Sequence, residues 1–371
     1  MSHSHNLLEV LSTNPAIWIG FGVSFLASLA ICLTVAHHHG WSGDDEQRIQ
    51  KSHDHHFVPR IGGLAIFFSM IVLYILLERD HRVLFGPLVL ASFPIFFVGL
   101  SEDILRNVNP FHRLLVAFIC GVFGWWITGY RLTHVGILGF DYFLEAFIFF
   151  SIAFTAFAIT GLTHAHNMID GVNGLSSGLA FMFSLGITLI AYQVNDHDLW
   201  YAAISFAAII FGFYIVNFPF GKLFLGDAGA YLCGFVVAWL AIFLTSRNSQ
   251  VSEFSAFLLG IHPICEAIFS IVRRRVSQRS AMQPDAEHFH MLIKRKLLRV
   301  KFPGHQTLFY NSLAGCLILL MNIPTFLVAI FFYDNMSILL TASAVYCLIF
   351  VGVSLSLEPK IFQNPQQRSS A

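Results

Sequence analysis

Charge is scarce in this chain. Asp, Glu, Lys and Arg make up 11% of its 371 residues, less than half of the roughly 25% usual in soluble domains. Hydrophobic residues reach 56% and mean hydropathy is +0.69. This excludes an ordinary soluble domain and implies a polytopic membrane protein. The formal net charge is zero, so no bulk attraction to nucleic acid is expected. Cysteine is sparse as well. Cys32, Cys120, Cys233, Cys265, Cys316 and Cys347 stand one by one in apolar stretches without CxxC spacing, which argues against a disulfide frame or a zinc knuckle. The first 15 residues lack a basic n-region, so the apolar run behind them is expected to stay as a helix rather than leave as a signal peptide.

Long apolar runs take the place of charge. They lie near 16–36, 61–77, 87–100, 112–130, 143–163, 174–194, 199–218, 230–246, 254–272, 307–332 and 336–356. Each is near the length that spans a bilayer as a helix, so the expected fold is an all-α transmembrane bundle of about eleven spans. Trp125, Tyr130, Trp200 and Tyr201 sit near span ends, as interface aromatics do. With the N-terminus outside, the inner loops hold seventeen Lys and Arg and the outer loops four, a clear positive-inside bias. The expected organisation is a periplasmic tail over 1–15, one membrane-embedded domain over 16–356 and a cytoplasmic tail over 357–371. Within the inner loop 273–306, Phe289, Leu292, Ile293, Leu297 and Val300 recur at helical spacing with cations opposite, the pattern of an amphipathic interfacial helix.

Four polar islands interrupt the runs, and this orientation puts all of them at the cytoplasmic face. Polar groups beside hydrocarbon cost about 2.5–3.5 kcal/mol per charge at mid-bilayer, so such clustering points to a site for a cytosolic substrate. The first island holds the adjacent acids Glu102 and Asp103, followed by Asn109-Pro110-Phe111-His112-Arg113. In the second, Asn167, Asp170 and Asn173 recur every three residues on one helical face beside Gly171 and Gly174, suited to a nucleotide or metal. The third, Asn217 to Gly229, sets Asp227 between glycines with Lys222 and Phe224 nearby. A lone hard carboxylate there suits Mg²⁺, which shares its shell with water and phosphates. Lys222 could meet a phosphate, and Phe224 offers an apolar face for a base. The fourth carries His288 and His290, able to contact phosphate or sugar. Zinc is disfavoured, because the other islands offer oxygen rather than a His/Cys set.

The order of these motifs (PRxGG at Pro59 to Gly63, the acidic pair, NxxDGxxG, an Asn nine residues before the GDAG aspartate loop, and PDxxHxH) resembles the polyprenyl-phosphate N-acetylhexosamine-1-phosphate transferases, the MraY/WecA superfamily. The resemblance covers about Arg60 to Lys296. It implies transfer of an N-acetylhexosamine 1-phosphate from a UDP-amino sugar to undecaprenyl phosphate in the bilayer, with release of UMP. It implies Mg²⁺, with Mn²⁺ as a substitute, and admits a homodimer. By position, Asp227 resembles the metal ligand, while Asn217 and Phe224 resemble the groups that hold and stack uracil. Asn167 and Asp170, with Gly171 and Asn173, match the nucleotide-proximal motif. Glu102 and Asp103 resemble the pair that activates the lipid phosphate, and His288 and His290 those near the donor diphosphate or sugar. Glu102, Asp103 and Asp170 are thus the implied catalytic acids. The implied location is the bacterial inner membrane.

Several positions depart from the usual pattern: Glu102 replaces an aspartate, Asn173 replaces the second aspartate of DGxDG, Met291 replaces a histidine, and Thr163 stands where asparagine is frequent. These favour a branch that initiates surface polysaccharide over the peptidoglycan branch, with UDP-GlcNAc the leading donor. The competing expectation is a polytopic transporter without transferase activity. Transporters, however, usually bind at the midplane on broken helices, often between repeated halves, and no internal repeat is visible.

Overall fold

Backbone polar groups inside lipid must be satisfied within the segment, so apolar runs of this length can only be helices. The computed structural model describes residues 15–43, 58–277 and 287–358. Its helices are α1 (Pro15–Leu33), α2 (Val35–Ser42), α3 (Gly62–Leu76), α4 (Arg82–Leu105), α5 (Pro110–Thr128), α6 (Phe140–Ala146), α7 (Ile148–Ile169) and α8 (Leu175–Gln193). They continue as α9 (His197–Asn217), α10 (Gly226–Arg247), α11 (Glu253–Leu259), α12 (Ile261–Val276), α13 (Phe289–Leu292), α14 (Thr307–Phe331) and α15 (Met336–Leu357). Eight of these are long and apolar enough to cross a membrane, the bent pair α11–α12 forms a broken span or a re-entrant loop, and α1 and α3 are shorter apolar helices. Every apolar run of the sequence falls on one of them, and the protein is an all-α, multi-pass membrane protein.

The α11–α12 pair differs from expectation. It breaks by 76° at Gly260, where Pro263 in the first turn of α12 supplies no N–H. Two short helices, α2 and α6, fill stretches that apolar run length alone does not define. The amphipathic stripe of the inner loop is also placed differently. After α13 the chain forms a π-helical turn, Ile293–Leu298, and a closing turn, Arg299–Lys301. Phe289, Leu292 and Ile293 are buried, and Phe289 stacks on Phe350 of α15 with centroids 4.6 Å apart. The stripe therefore packs against protein rather than lying on a lipid surface, with Val300 left 73% exposed. The tails up to residue 14 and from 359, together with Pro284, Asp285 and the basic residues Arg48, Lys51, Arg279, Lys360 and Arg368, lie outside the described residues.

Helix α10 is the centre of the bundle: 89% of its apolar window is buried, against 22% for α5 and 28% for α15. Gly63 of α3 and Gly99 of α4 lie so close to the α10 backbone at Asp227–Gly229 that a Cβ on either would collide with it. That close approach sets three helix ends side by side, all carrying motif residues.

At the opposite end of α10, Arg247 ties three segments together. Its Nε and Nη2 donate to Asp196 at 2.8 Å, Nη2 also reaches Asp198 at 3.0 Å, and Nη1 donates to the Tyr130 hydroxyl at 2.8 Å. Asp196 also caps α9 through the Leu199 N–H. Burial pushes the Asp196 carboxyl up, but the bonds from Arg247, Asn248 and Leu199 outweigh it and hold the group below its ordinary value of 3.8. A depressed carboxyl contributes stability above its ordinary range and loses it as pH falls through the lowered value. Arg247→Ala is expected to cost about 1–3 kcal/mol by stranding hydrogen-bonded carboxylates. Thermal unfolding in detergent should show a lower midpoint at neutral pH, with the difference from the unsubstituted protein shrinking below about pH 4.

Candidate active site

The ends of α4, α7 and α9 and the starts of α3, α5 and α10 meet at one end of the bundle. Asp103, in the last turn of α4, reaches the start of α10, where its two carboxylate oxygens accept the backbone N–H groups of Asp227 at 2.8 Å and Ala228 at 2.9 Å. Leu225, at the N-cap of α10, provides no side-chain cap, and the first N–H groups of a helix lack intrahelical partners. Asp103 is therefore a cap supplied from another helix.

Asp227 in turn faces two guanidinium groups. Arg113 of α5 donates to its Oδ2 at 2.8 Å, and Arg60, just before α3, stands 3.7 Å from Oδ1. Arg113 also donates to the Tyr231 hydroxyl at 3.2 Å and lies 3.8 Å from Glu102. Glu102 accepts the Val108 N–H at 2.9 Å, closing the turn between α4 and α5. Three carboxylates and two arginines thus share one polar cluster in an apolar surround. Asp103 is buried, and the Glu102 and Asp227 side chains keep part of their surface open to solvent.

Gly226 makes the approach possible. Its φ of +75° suits glycine, and a Cβ there would meet the Arg60 carbonyl and the Asp103 carboxylate. Gly226→Ala is expected to be strongly destabilising, with the left-handed backbone alone costing roughly 1–2 kcal/mol before the collision is counted. A size-exclusion profile and melt close to those of the parent would refute this.

The second motif forms the turn between α7 and α8. Asn167 and Asp170 are half-buried, and the Asp170 N–H donates to the Asn167 carbonyl at 3.2 Å. Gly171 lies against the His290 ring, where a Cβ would collide with Nε2. His288 lies parallel to His290, with centroids 5.7 Å apart and planes 7° apart. His290 thus lies against the Asp170–Gly171 turn, with His288 parallel beside it. His164 on α7 packs edge-on to Tyr231 at 5.0 Å, linking this turn to the carboxylate cluster.

The third motif is tied closely into the chain. The Asn217 side chain accepts the Gly174 N–H at 2.7 Å and donates to the Leu223 carbonyl at 2.6 Å, so both ends of its amide are engaged within the chain. Buried Asn173 donates to the Pro219 carbonyl at 3.4 Å and the Ser312 hydroxyl at 3.3 Å. Phe224 is also buried, and its backbone bonds to Pro59 and Gly62. All three brace the 217–225 loop, and the buried Asn173 Oδ1 has no hydrogen-bond partner within the chain. Lys222 is exposed on that loop, 5.7 Å from the Phe220 ring.

Arg60, Arg113 and Tyr231 were not singled out from the sequence. A signal existed: several acids at membrane ends require counter-charge, and both arginines sit inside quoted motifs. As to a metal, no group of three or more His, Cys, Asp or Glu forms a ligand cage among the described residues. The oxygen donors fit a metal that fills its shell largely with water and phosphate oxygens, and Asp227 already draws cations to both its oxygens.

A membrane-spanning bundle with acids, arginines and histidines gathered at one end defines a membrane-embedded enzyme. Residues 85–245 match the family described as glycosyl transferase family 4, which supports the resemblance to the MraY/WecA superfamily. The chain is similar to the undecaprenyl-phosphate alpha-N-acetylglucosaminyl 1-phosphate transferase of Thermotoga maritima, at 29% identity over 68% of this chain and 73% of the relative. Proteins with the same description from Yersinia pestis (25% identity, 75% of this chain and 76% of the relative) and Escherichia coli strain K12 (25%, 74% and 74%) are similar as well.

Proposed function

We propose that the protein transfers N-acetylglucosamine 1-phosphate, or that of a close N-acetylhexosamine, from its UDP-sugar to undecaprenyl phosphate and releases UMP, initiating a surface polysaccharide. The observation that carries this reading is the joining of Asp103, Asp227, Arg113 and Arg60 at one end of the bundle, beside the Asp170–Gly171–His290 turn. The relatives named above act on undecaprenyl phosphate by their descriptions. A transporter without transferase activity is set aside by the family match and those relatives.

Phosphoryl transfer depends mainly on positioning and on charge neutralisation. In the proposed step an oxygen of the lipid phosphate attacks the donor β-phosphorus, the new O–P bond forms, and the bridging O–P bond breaks with UMP as the leaving group. Mg²⁺, or Mn²⁺ in its place, would supply charge neutralisation on the diphosphate, held by Asp227. Arg60, Arg113 and Lys222 would offset the remaining negative charge. Asp103 would keep the Asp227 loop in register and would orient the acceptor phosphate by taking its proton. Asp170, Asn167 and the two histidines would position the donor. The acceptor's prenyl chain would stay in the bilayer, because its apolar surface is costly to hydrate.

The test is UMP release by purified protein given undecaprenyl phosphate, Mg²⁺ and a panel of UDP-sugars. UDP-GlcNAc or another N-acetylated amino sugar should react, and UDP-muramoyl-pentapeptide should not. No UMP from any donor would overturn the reading, and turnover of the pentapeptide donor would overturn the branch. We further place the site at the cytoplasmic face of the bacterial inner membrane, with the N-terminus periplasmic. Reporter fusions that put residue 288 outside the cell would refute that. A homodimer is tested by the mass of the protein in detergent.

A further inference from the structure

Helix α12 carries a polar stripe that the proposed chemistry leaves unused. Glu266, Ser270 and Arg273 recur at positions i, i+4 and i+7, one face of a helix, and all three are buried. Arg273 donates to the Glu287 carbonyl through Nη1 at 2.6 Å. Glu266 Oε2 accepts the Phe289 N–H at 2.9 Å. Its Oε1 receives His288 Nδ1 at 2.8 Å and the Ser270 hydroxyl at 3.2 Å. One fully buried carboxylate therefore holds both the backbone and the imidazole of the segment bearing the two site histidines.

A buried carboxylate is costly unless paired and hydrogen-bonded, and an apolar residue could anchor a helix here at lower cost. What a carboxylate adds is direction. It accepts only, so Nδ1 must carry the proton, and in the neutral ring Nε2 is left as the acceptor and free proton carrier. We propose that Glu266 is a positioning residue that fixes the tautomer and ring orientation of His288, leaving Nε2 as the acceptor of a ring held parallel to His290. This rests on the transferase reading for its consequence, but the pairing is a property of the chain alone.

The experiment has two arms. Glu266→Gln keeps the length and an oxygen for the Phe289 N–H, but its amide can accept or donate toward Nδ1. In the first arm, ¹⁵N-histidine spectra of protein in lipid discs, assigned with His288→Gln, report the tautomer without any turnover. His288 should be the Nδ1–H form in the parent and a mixture in the variant. An Nε2–H ring in the parent, or an unchanged spectrum in the variant, overturns the proposal. In the second arm, UMP release by Glu266→Gln should show kcat lowered at least about tenfold, as when an orienting partner of a functional histidine is removed. The donor KM should stay within about twofold, since uniform binding is untouched. An unchanged kcat in folded variant protein overturns the proposal, because a purely structural carboxylate would be replaced by Gln without that loss. If the unsubstituted protein releases no UMP, it is the transferase reading that fails, and the spectra alone decide the role of Glu266.

Discussion

Asp227→Asn is expected to lower UMP release on the order of 100-fold at limiting Mg²⁺, the scale seen when one preorganised charge-stabilising group is removed. Asp227 is the acid whose two oxygens face Arg113 at 2.8 Å and Arg60 at 3.7 Å. An amide of the same shape can still accept one bond from Arg113, so the bundle should fold and insert. What it loses is the hard anionic oxygen that a divalent cation prefers. The half-saturating Mg²⁺ concentration should rise, and excess Mg²⁺ should recover part of the rate. Mn²⁺ binding followed by electron paramagnetic resonance, with no donor present, checks the same loss without turnover. Equal rates and equal metal affinity in the variant would remove Asp227 from the proposed chemistry.

Much of this arrangement is legible in the chain because membrane constraints are strict. Apolar runs must be helices, and acids at their ends must have partners, so span positions and the motifs bearing Asp103, Asp170 and Asp227 follow from residues alone. The rest depends on three-dimensional detail that periodicity does not encode. Asn217 has the residue type of a ligand-holding amide, yet residues 174 and 223 each take one bond at opposite ends of it. Phe289 and Leu292 have the spacing of a lipid-facing stripe, but spacing cannot distinguish lipid from the wall formed by α14 and α15. Glu266 is hidden for a further reason. It stands alone among apolar neighbours on a span, and its partners are 22 and 23 residues away, beyond a break in the helical pattern.

Asp103→Asn is expected to reduce turnover more broadly, by about 10²–10⁴-fold even at saturating Mg²⁺, the range for loss of a group that handles the acceptor's charge or proton. The structure adds a second consequence. Asp103 accepts one backbone N–H on each oxygen, from Asp227 and Ala228. An asparagine must turn its NH₂ toward one of those donors, leaving a buried donor unmet at a cost of about 1–3 kcal/mol. The start of α10 would then loosen, and Asp227 with it. A group acting only on the acceptor would lower kcat and leave unfolding temperature and metal affinity unchanged. A group that also caps α10 would lower all three, and that is the outcome expected here. Glu102→Asp is the control, since it keeps a carboxylate near Arg113 and loses at most the Val108 contact, worth about 1 kcal/mol. Near-normal turnover, melting and Mg²⁺ response in Asp103→Asn would refute both the cap and its link to the reaction.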